Sequence, residues 1–434
     1  MKHNSTYITI SFIIIPLMLF ACCYFTFQQV SSFNFVDKWD DGWQVLNLYT
    51  SRGINANNFV DIFTTFYSGQ YSPLNQWMYA MLYEINRFDA HVFHTANLLF
   101  HIGYTGMVFF YLARILTAYS KEQKCSNIFI AGIVALFVGV HPIQVEAVAW
   151  ISASKLTTCA FFFMCALNTY LSYLKQYQMR YYIVTLLLFS CAFLCKEQAI
   201  LFPVFILLTE WLLQRDFSRL DNWLDKLPFV LLSCLFLYIT LQSYDKSFSH
   251  IVGEEGHYVW WQRIVFMSYS LADYIQKIII PMNLMYIYPY PMTVGDPLPI
   301  RFWLYPLVLP AVAYFIWYIR KDRIALFGVI YFILQLSFFL HIIPLPRFAI
   351  TADRYVYMAL PGILLPVAWY GYHWGESKRI ARHSFFIILM GLIGLTGVYC
   401  YISCRYSEVW KDDTILKSKI GSILQERTVS FLTK

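Results

Sequence analysis

Long apolar runs alternate with short polar segments over most of the chain. A transmembrane helix needs about 20 mostly apolar residues to cross roughly 30 Å of hydrocarbon. The pattern therefore predicts an all-α polytopic membrane protein, with about 11 transmembrane helices in one membrane domain over residues 1–404. The predicted spans, with ends defined only to within several residues, are Tyr7–Phe27, Val92–Leu116, Ile128–Val140, Leu156–Leu174, Ile183–Leu194, Ala199–Leu213, Leu227–Leu241, Phe302–Ile319, Ile324–Ile343, Val356–Trp374 and Phe385–Cys404.

One further run, Ile264–Ile280, contains Asp273 and Lys277 and is ambiguous. Cytoplasmic loops of membrane proteins carry an excess of Lys and Arg. If this run does not span and the amino terminus is cytoplasmic, the short basic loops fall inside; if it does span, two of them move outside. We therefore predict an interfacial or re-entrant helix on the outer face. The basic loops concerned are residues 175–180, 320–323 and 378–382.

This topology predicts two sizeable outer loops, at about residues 31–90 and 242–301, and an outer polar tail at 405–434. The first loop is mixed polar and aromatic, a pattern that indicates one or two short amphipathic helices on the membrane surface. The first apolar run is long for the apolar region of a signal peptide, so we interpret it as an uncleaved span.

Composition supports the membrane assignment. Of the 434 residues, 59% are hydrophobic and 13% are charged, whereas soluble domains have about 25% charged residues. The net charge of +7 comes largely from short loops, where basic residues set topology, so it does not indicate nucleic-acid binding. The ten cysteines lie mostly in apolar runs without C-x-x-C spacing and are interpreted as small hydrophobic residues.

The few remaining charges cluster at the ends of the apolar runs. Ionisable groups near lipid are costly, so by default they mark function or a paired structural role. The predicted topology puts all the clusters on one side, which suggests one polar active site at a membrane surface. The clusters are Asp40–Asp41; His141 with Glu146 and Lys155; Lys196–Glu197; and Asp353–Arg354–Tyr355 with Arg347 nearby.

Each cluster also has a structural interpretation. One carboxylate of Asp40–Asp41 would suit a general base, or the pair forms an interfacial acidic turn between tryptophans. His141 and Glu146 are predicted to share hydrogen bonds beside the cation of Lys155, or the segment is an ordinary loop with a helix cap. The spacing of His141 and Glu146 is a weak metal-ligand pattern.

The other two clusters contain cations suited to phosphate. Lys196–Glu197 would form an internal ion pair or help to hold a phosphate, or they lie in a solvated turn. Arg354 offers a planar, permanently charged fork for bidentate phosphate binding, or it forms a salt bridge with Asp353. The chain contains no Walker motif, no G-x-S-x-G and no H-E-x-x-H.

Taken in order, these motifs resemble the membrane domain of the transmembrane and tetratricopeptide-repeat-containing O-mannosyltransferases and their bacterial relatives. The chain differs from them in lacking the repeats, the usual platform for a protein partner. It also has Ser152-Ala153-Ser154-Lys155 where many relatives carry a glycine-arginine turn. The matching segments, which cover most of the chain, are Asp40–Asp41, His141-Pro142…Glu146-Ala147-Val148, Lys196-Glu197-Gln198, Pro281–Pro291, Ala352-Asp353-Arg354-Tyr355 and Arg405…Trp410-Lys411-Asp412-Asp413.

The resemblance implies a C-type glycosyltransferase fold. It also implies transfer of a sugar, of mannose type, from a polyprenyl-phosphate carrier to a hydroxyl acceptor such as protein Ser or Thr, with inversion at the anomeric carbon. Asp41 or Asp40 would be the base, with Asp41 preferred. Arg354, Lys196, Lys155 and Arg347 would bind the donor phosphate, and His141, Glu146, Glu197, Asp353 and Tyr355 would support the site.

No cofactor or metal is expected, because the cations would offset the charge on the leaving phosphate; a divalent metal held by the Asp pair is the alternative. Expected partners are the lipid-linked donor, a protein or glycan acceptor and the bilayer, without nucleic acid. The site would face the periplasm from a bacterial inner membrane, or the lumen from the endoplasmic reticulum membrane. Competing hypotheses are a lipid or glycan acceptor, a transporter or flippase of lipid-linked sugars, and a non-catalytic scaffold.

Overall fold

The computed structural model describes residues 2–121, 123–251, 258–282, 284–285, 287–342, 349–377 and 382–432. Regular structure in these ranges is helical, apart from two isolated β-bridges. The α-helices are α1 (Lys2–Phe27), α2 (Asp41–Gln44), α3 (Leu48–Ser51), α4 (Ala56–Thr64), α5 (Pro73–Asn86), α6 (Ala90–Tyr119), α7 (Lys124–Val140), α8 (Val145–Ala149), α9 (Ser154–Gln176), α10 (Met179–Cys195), α11 (Phe202–Leu212), α12 (Asp221–Leu224), α13 (Leu227–Ile251), α14 (Trp260–Ile279), α15 (Val308–Ile319), α16 (Arg323–Leu336), α17 (Leu360–Ser377), α18 (Arg382–Ser407) and α19 (Asp413–Leu432).

The predicted helical, multi-pass membrane protein is confirmed at this level. Six helical stretches of the described chain are long and apolar enough to cross a membrane, and the bent pair α7–α8 would make a seventh. The helix α15 buries none of its side chains within the protein, as expected of a helix that faces lipid. The six stretches are Ile10–Ser32, Ala90–Tyr119, Ile151–Gln176, Asp221–Ser243, Ile300–Ile319 and Ile387–Trp410.

The other predicted spans also form helices, but these are short. Met179–Cys195 and Arg323–Phe339 are apolar helices of intermediate length, and α11 has 11 residues. The total of 11 spans stays a prediction.

The core lies along α6, which packs against α1, α7 and α9. Its inward face buries Tyr104, Val108 and Leu112 completely or nearly so. The next hairpin, α9–α10, is closed by Tyr177, whose left-handed backbone (φ 52°) ends α9. Because α9 and α10 run in opposite directions, the start of α9 and the end of α10 lie at the same end of the bundle.

The outer-loop predictions need correction in detail. The segment 31–90 contains four short helices, α2 to α5, instead of one or two. The ambiguous run forms α14, which is not among the stretches long and apolar enough to span; its interfacial position stays a prediction. Packed structure also continues past residue 404, because α18 reaches Ser407 and Trp410 is 1% exposed.

Candidate functional site

A cavity of about 220 Å³ lies where several helix ends meet. Four separate parts of the chain bring charged residues to its wall: the segment before α2, the start of α9, the link after α10 and the 3-10 turn Asp353–Val356. The charged lining residues are Asp40, Lys155, Lys196, Glu197 and Arg354.

The two adjacent aspartates face different surroundings. Asp40 precedes α2, lines the cavity, and accepts a hydrogen bond from the Trp43 indole N–H (3.1 Å). Asp41 is 1% exposed and is not part of the cavity lining. Of the two aspartates, only Asp40 therefore has access to the cavity, and which of them would act as a base stays a prediction.

Asp41 joins two segments of the wall. Its Oδ1 accepts hydrogen bonds from the Ser152 backbone N–H (2.9 Å) and the Ser152 hydroxyl, and its Oδ2 accepts from the Val36 N–H (3.1 Å). Burial raises the pKa of Asp41 to about 6, although these hydrogen bonds lower it. The contacts fix the turn that carries Asp40 against the turn that leads to Lys155.

Lys155 is a cation whose hydrogen-bond partners among the described residues are neutral amides. In the first turn of α9, its Nζ donates to Oε1 of Gln70 (2.6 Å) and to Oε1 of Gln44 (3.1 Å). No carboxylate of the described residues lies within ion-pair distance of this ammonium. A partly buried ammonium with no carboxylate of the described residues in direct contact favours an anion in the cavity.

Lys196 and Glu197 lie where α10 ends. Lys196 has an extended backbone (φ −159°), which stops α10 and starts the 3-10 turn Glu197–Leu201. Both residues line the cavity. The next residue, Gln198, is buried and donates to Gln335 on α16, which fixes the link to the bundle.

Arg354 is paired with Glu146 and not with Asp353. The buried Glu146 accepts hydrogen bonds from the Arg354 backbone N–H (2.8 Å) and from its guanidinium. Burial lowers the pKa of Arg354, but the carboxylate of Glu146 outweighs this effect and the net shift is upward. The Arg354 side chain stays 28% exposed, and it lies over the ring of Trp150 (5.3 Å), another lining residue.

Asp353 points away from Arg354 into its own buried network. It accepts a hydrogen bond from the Tyr288 hydroxyl (2.9 Å), and the Lys277 ammonium lies 3.4 Å away. Burial raises the pKa of Asp353 to about 7, against the lowering effect of Lys277. The structural alternative, a salt bridge between Asp353 and Arg354, is thus wrong, and Asp353 instead joins the turn before α17 to α14.

His141 also lies behind the wall. Its Nδ1 accepts from the Ile143 N–H (3.1 Å), so its Nε2 carries the proton and donates to the Ile278 carbonyl (3.0 Å). The prediction that His141 and Glu146 share hydrogen bonds is wrong, because each has other partners. His141 joins the α7–α8 bend to α14.

The predicted residues therefore fall into two layers. Tyr355, stacked on Phe339 (4.0 Å), joins the charged lining residues at the cavity. Arg347 lies outside the described residues. The layer behind the wall consists of Asp41, His141, Glu146 and Asp353.

Sequence reasoning missed the neutral part of the site, because it searched for charge. Gln44 and Gln70 hold Lys155, yet amides in a polar loop give little signal. Gln70 comes from a tight turn in which Ser68 (φ 47°) and Gly69 (φ 72°) have left-handed backbones. The Ser-Gly pair is a turn signal that could have been used. Other neutral lining residues are Tyr71, Trp150, Ser152, Ala153, Leu156, Thr240, Ser243 and Phe339.

The cavity combines a carboxylate next to an indole with three cations, a set suited to proton removal from a hydroxyl and to binding an anionic group. Within the described ranges, no three His, Cys, Asp or Glu side chains are grouped so that they could hold a metal ion. The expectation about metals stays a prediction.

Comparison with known proteins does not identify a family. No model of a protein family matches the chain, and no curated protein matches it either. The family resemblance rests on the motifs quoted above.

Proposed function

We propose that the chain is an integral-membrane glycosyltransferase that moves a sugar from a polyprenyl-phosphate carrier to a hydroxyl acceptor. One observation carries the proposal: four separate parts of the chain bring charged residues to one cavity, namely Asp40, Lys155, Lys196 with Glu197, and Arg354. Asp40, Lys196, Glu197 and Arg354 belong to the motifs that the chain shares with the resembled glycosyltransferases, whereas Lys155 lies in the segment that departs from them. A carboxylate facing cations is what a displacement needs when its leaving group is a phosphate.

In this mechanism Asp40 takes the proton of the acceptor hydroxyl. That oxygen attacks the anomeric carbon, and the bond from this carbon to the carrier phosphate oxygen breaks, with inversion. The Trp43 N–H holds one oxygen of Asp40 (3.1 Å) and leaves the other for the acceptor. A positioned base of this kind contributes typically 10²–10⁴ in rate.

Lys155 and Lys196 offset the charge that grows on the leaving phosphate. Preorganised charge acts best where charge develops during reaction. Lys155 suits this role because its partners are two neutral amides. Arg354 contributes less net charge, because Glu146 neutralises much of it.

We further propose a C-type glycosyltransferase fold with 11 spans, in which α10, α11, α16 and α17 also cross the membrane. Helices that are short for the bilayer can be accommodated by packing against longer neighbouring helices and by local thinning of the bilayer. The cavity would then open to the periplasm or lumen, and a mannose-type donor follows from the resemblance alone.

The test is reaction of purified protein in lipid nanodiscs with radiolabelled polyprenyl-phospho-mannose and a peptide containing Ser and Thr. We expect release of polyprenyl phosphate together with labelled peptide. Lys155→Met should weaken binding of polyprenyl phosphate by about tenfold or more, since a charge-assisted contact contributes about 1.5–3 kcal/mol. Lys175→Met is the matched control, because Lys175 is exposed at the other end of the same helix.

Two results would contradict the proposal. One is intact donor after prolonged incubation although the protein is folded and binds the carrier. The other is movement of the intact donor across a liposome membrane without cleavage, which would favour the transporter hypothesis. Equal loss of binding in Lys155→Met and Lys175→Met would contradict the assignment of Lys155 to the phosphate.

A further inference from the structure

The segment that follows α18 reaches the side of the cavity where Asp40 lies. The Asn34 N–H donates to the Lys411 carbonyl (3.0 Å). The Lys38 N–H points at the Asp413 carboxylate, 3.2 and 3.3 Å from its two oxygens. The stretch leading to Asp40 is thus held by residues from near the end of the chain.

The same segment reaches the cationic side through an aromatic stack. The indole of Trp410 is 1% exposed and lies parallel to that of Trp150, with ring centroids 5.3 Å apart and an interplanar angle of 18°. Trp150 lines the cavity, and the guanidinium of Arg354 lies 5.3 Å from its ring centroid. Trp410, Trp150 and Arg354 therefore form a continuous row of contacts that ends in the cavity.

Three contacts define where the Arg354 guanidinium lies. The first is Glu146, which is itself fixed by burial and by the Arg354 backbone N–H. The second is the Trp150 ring, and the third is the Tyr355 ring 5.0 Å away, since cations are attracted to the face of an aromatic ring. If the Trp150 ring moved, the long and partly exposed Arg354 side chain would keep its ion pair and the Tyr355 contact but lose the indole face, and it would gain rotamer freedom.

We propose that Trp410 is a positioning residue for the cavity: it fixes the Trp150 ring and, through it, the orientation of Arg354. Trp410 is not itself in the cavity lining, so it acts on the cavity through its contact with Trp150. The consequence for catalysis rests on the proposed function, whereas the consequence for Arg354 does not. The segment after α18 then contacts both sides of the site: the stretch that leads to Asp40, and the Trp150 ring beside Arg354.

The first measurement does not depend on enzymatic activity. The full chain, as parent, Trp410→Ala and Trp410→Phe, is treated in nanodiscs with p-hydroxyphenylglyoxal, and the rate of modification at Arg354 is followed by mass spectrometry. We expect several-fold faster modification in Trp410→Ala and a rate near that of the parent in Trp410→Phe, which keeps a stacking ring. Should Trp410→Ala fail to fold, Trp410→Leu keeps apolar volume without a ring and takes its place.

A matched control separates positioning from loss of packing. The ring of Trp211, at the far end of α11, also carries a guanidinium, that of Arg323 at 5.5 Å. Trp211→Ala should change modification of Arg323 and leave Arg354 unchanged. If folded Trp410→Ala modifies Arg354 at the parental rate, Trp410 is a packing residue and the inference is wrong.

The second measurement is sugar transfer by the same variants. We expect Trp410→Ala to lower kcat several-fold with a smaller change in KM for the donor, and Trp410→Phe to restore most of it. If Arg354 modification rises but even the parent transfers no sugar, the proposed function fails while the positioning contact stands. If Arg354 is modified faster in Trp410→Ala but kcat is unchanged, Trp410 positions Arg354 without any effect on sugar transfer, and the proposed consequence for catalysis is wrong.

Discussion

At the scale of single residues, burial separates groups that look alike in the sequence. Asp40 and Asp41 are adjacent, yet one lines the cavity and the other accepts three hydrogen bonds behind it. Arg354 and Lys155 are both cations of the cavity, yet of these two only Arg354 is paired with a carboxylate of the described residues. Charge alone therefore does not identify which member of a cluster does chemistry.

The aspartates provide the most direct test of this distinction. Asp40→Asn keeps the shape of the side chain but removes the base, so it should lower kcat by roughly 10²–10⁴ with little effect on thermal stability. Asp41→Asn should instead lower stability, because the amide NH₂ would face an N–H group that now donates a hydrogen bond to Asp41, and two donors cannot pair. Transfer assays and thermal unfolding of both variants check this. Near-parental turnover in Asp40→Asn would exclude it as the base.

Asp41 also predicts a dependence of stability on pH. Its folded pKa of about 6 lies above the ordinary value of 3.8, so folding favours its protonated form. Its contribution to stability is then largest at acid pH and is lost as the pH rises through 6. Between pH 7.5 and pH 5, the parent should gain about 1 kcal/mol relative to Asp41→Asn, which does not titrate. Unfolding curves with the same pH dependence for both proteins would contradict this account.

At the scale of elements, the site is assembled from helix ends. The starts of α2 and α9, the end of α10 and the turn before α17 each bring one or two charged residues. Buried ionic and polar contacts then hold these ends together: Asp41 joins the turns before α2 and α9, and Glu146 joins α8 to Arg354. The amphipathic α14 is fastened to the same assembly through Lys277 and Asp353.

The contact between α14 and the Asp353 turn should be needed for stability. Lys277 is 5% exposed and lies near the carboxylates of Asp353 (3.4 Å) and Asp273 (2.6 Å). Lys277→Met would leave the buried Asp353 carboxylate and the partly buried Asp273 carboxylate without that cation, which should cost about 3–5 kcal/mol. Lys277→Met combined with Asp353→Asn should recover part of the loss, since one uncompensated charge is removed. Denaturant unfolding of the two single variants and the double variant measures the coupling, and simple additivity would contradict it.

The sequence was enough to predict these elements but not how they pair. Apolar periodicity and length predict the helices, because both follow from hydrocarbon thickness and helix rise. Clustered charges predict which residues meet, as Asp40, Lys155, Lys196 and Arg354 do. Sequence spacing cannot predict the ion pairs Glu146–Arg354 and Asp353–Lys277, because each pair joins residues from different elements. Neutral residues such as Gln70 carry no signal until the fold brings them to a cation.

At the scale of the whole molecule, the charges separate along the helix axes. The cavity lies at one end of the bundle, where α9 starts and α10 ends. The basic turn that contains Lys175 lies at the other end of α9, about 34 Å away along a 23-residue helix. Arg323 begins α16 beside the far end of α11, where it donates to the Trp211 carbonyl (3.0 Å). Basic turns and cavity are thus at opposite ends of the same helices.

Because basic turns favour the cytoplasm, this separation predicts the side on which the cavity opens. Single cysteines in place of Arg52 and Arg87, both exposed in the predicted outer loop, should react with a membrane-impermeant maleimide added to intact cells or sealed vesicles of outward orientation. Cysteines in place of Lys175 and Lys321, exposed at the opposite end, should react only after the membrane is permeabilised. The ten native cysteines, of which Cys125 and Cys234 are exposed, are first replaced by Ser or Ala.

Labelling of the cysteine at position 175 from outside would mean that the topology is reversed and that the cavity opens to the cytoplasm. The proposed reaction could then not use a periplasmic or lumenal acceptor. Labelling of both Lys175 and Lys321 only after permeabilisation would require an even number of crossings between them, as the 11-span arrangement has.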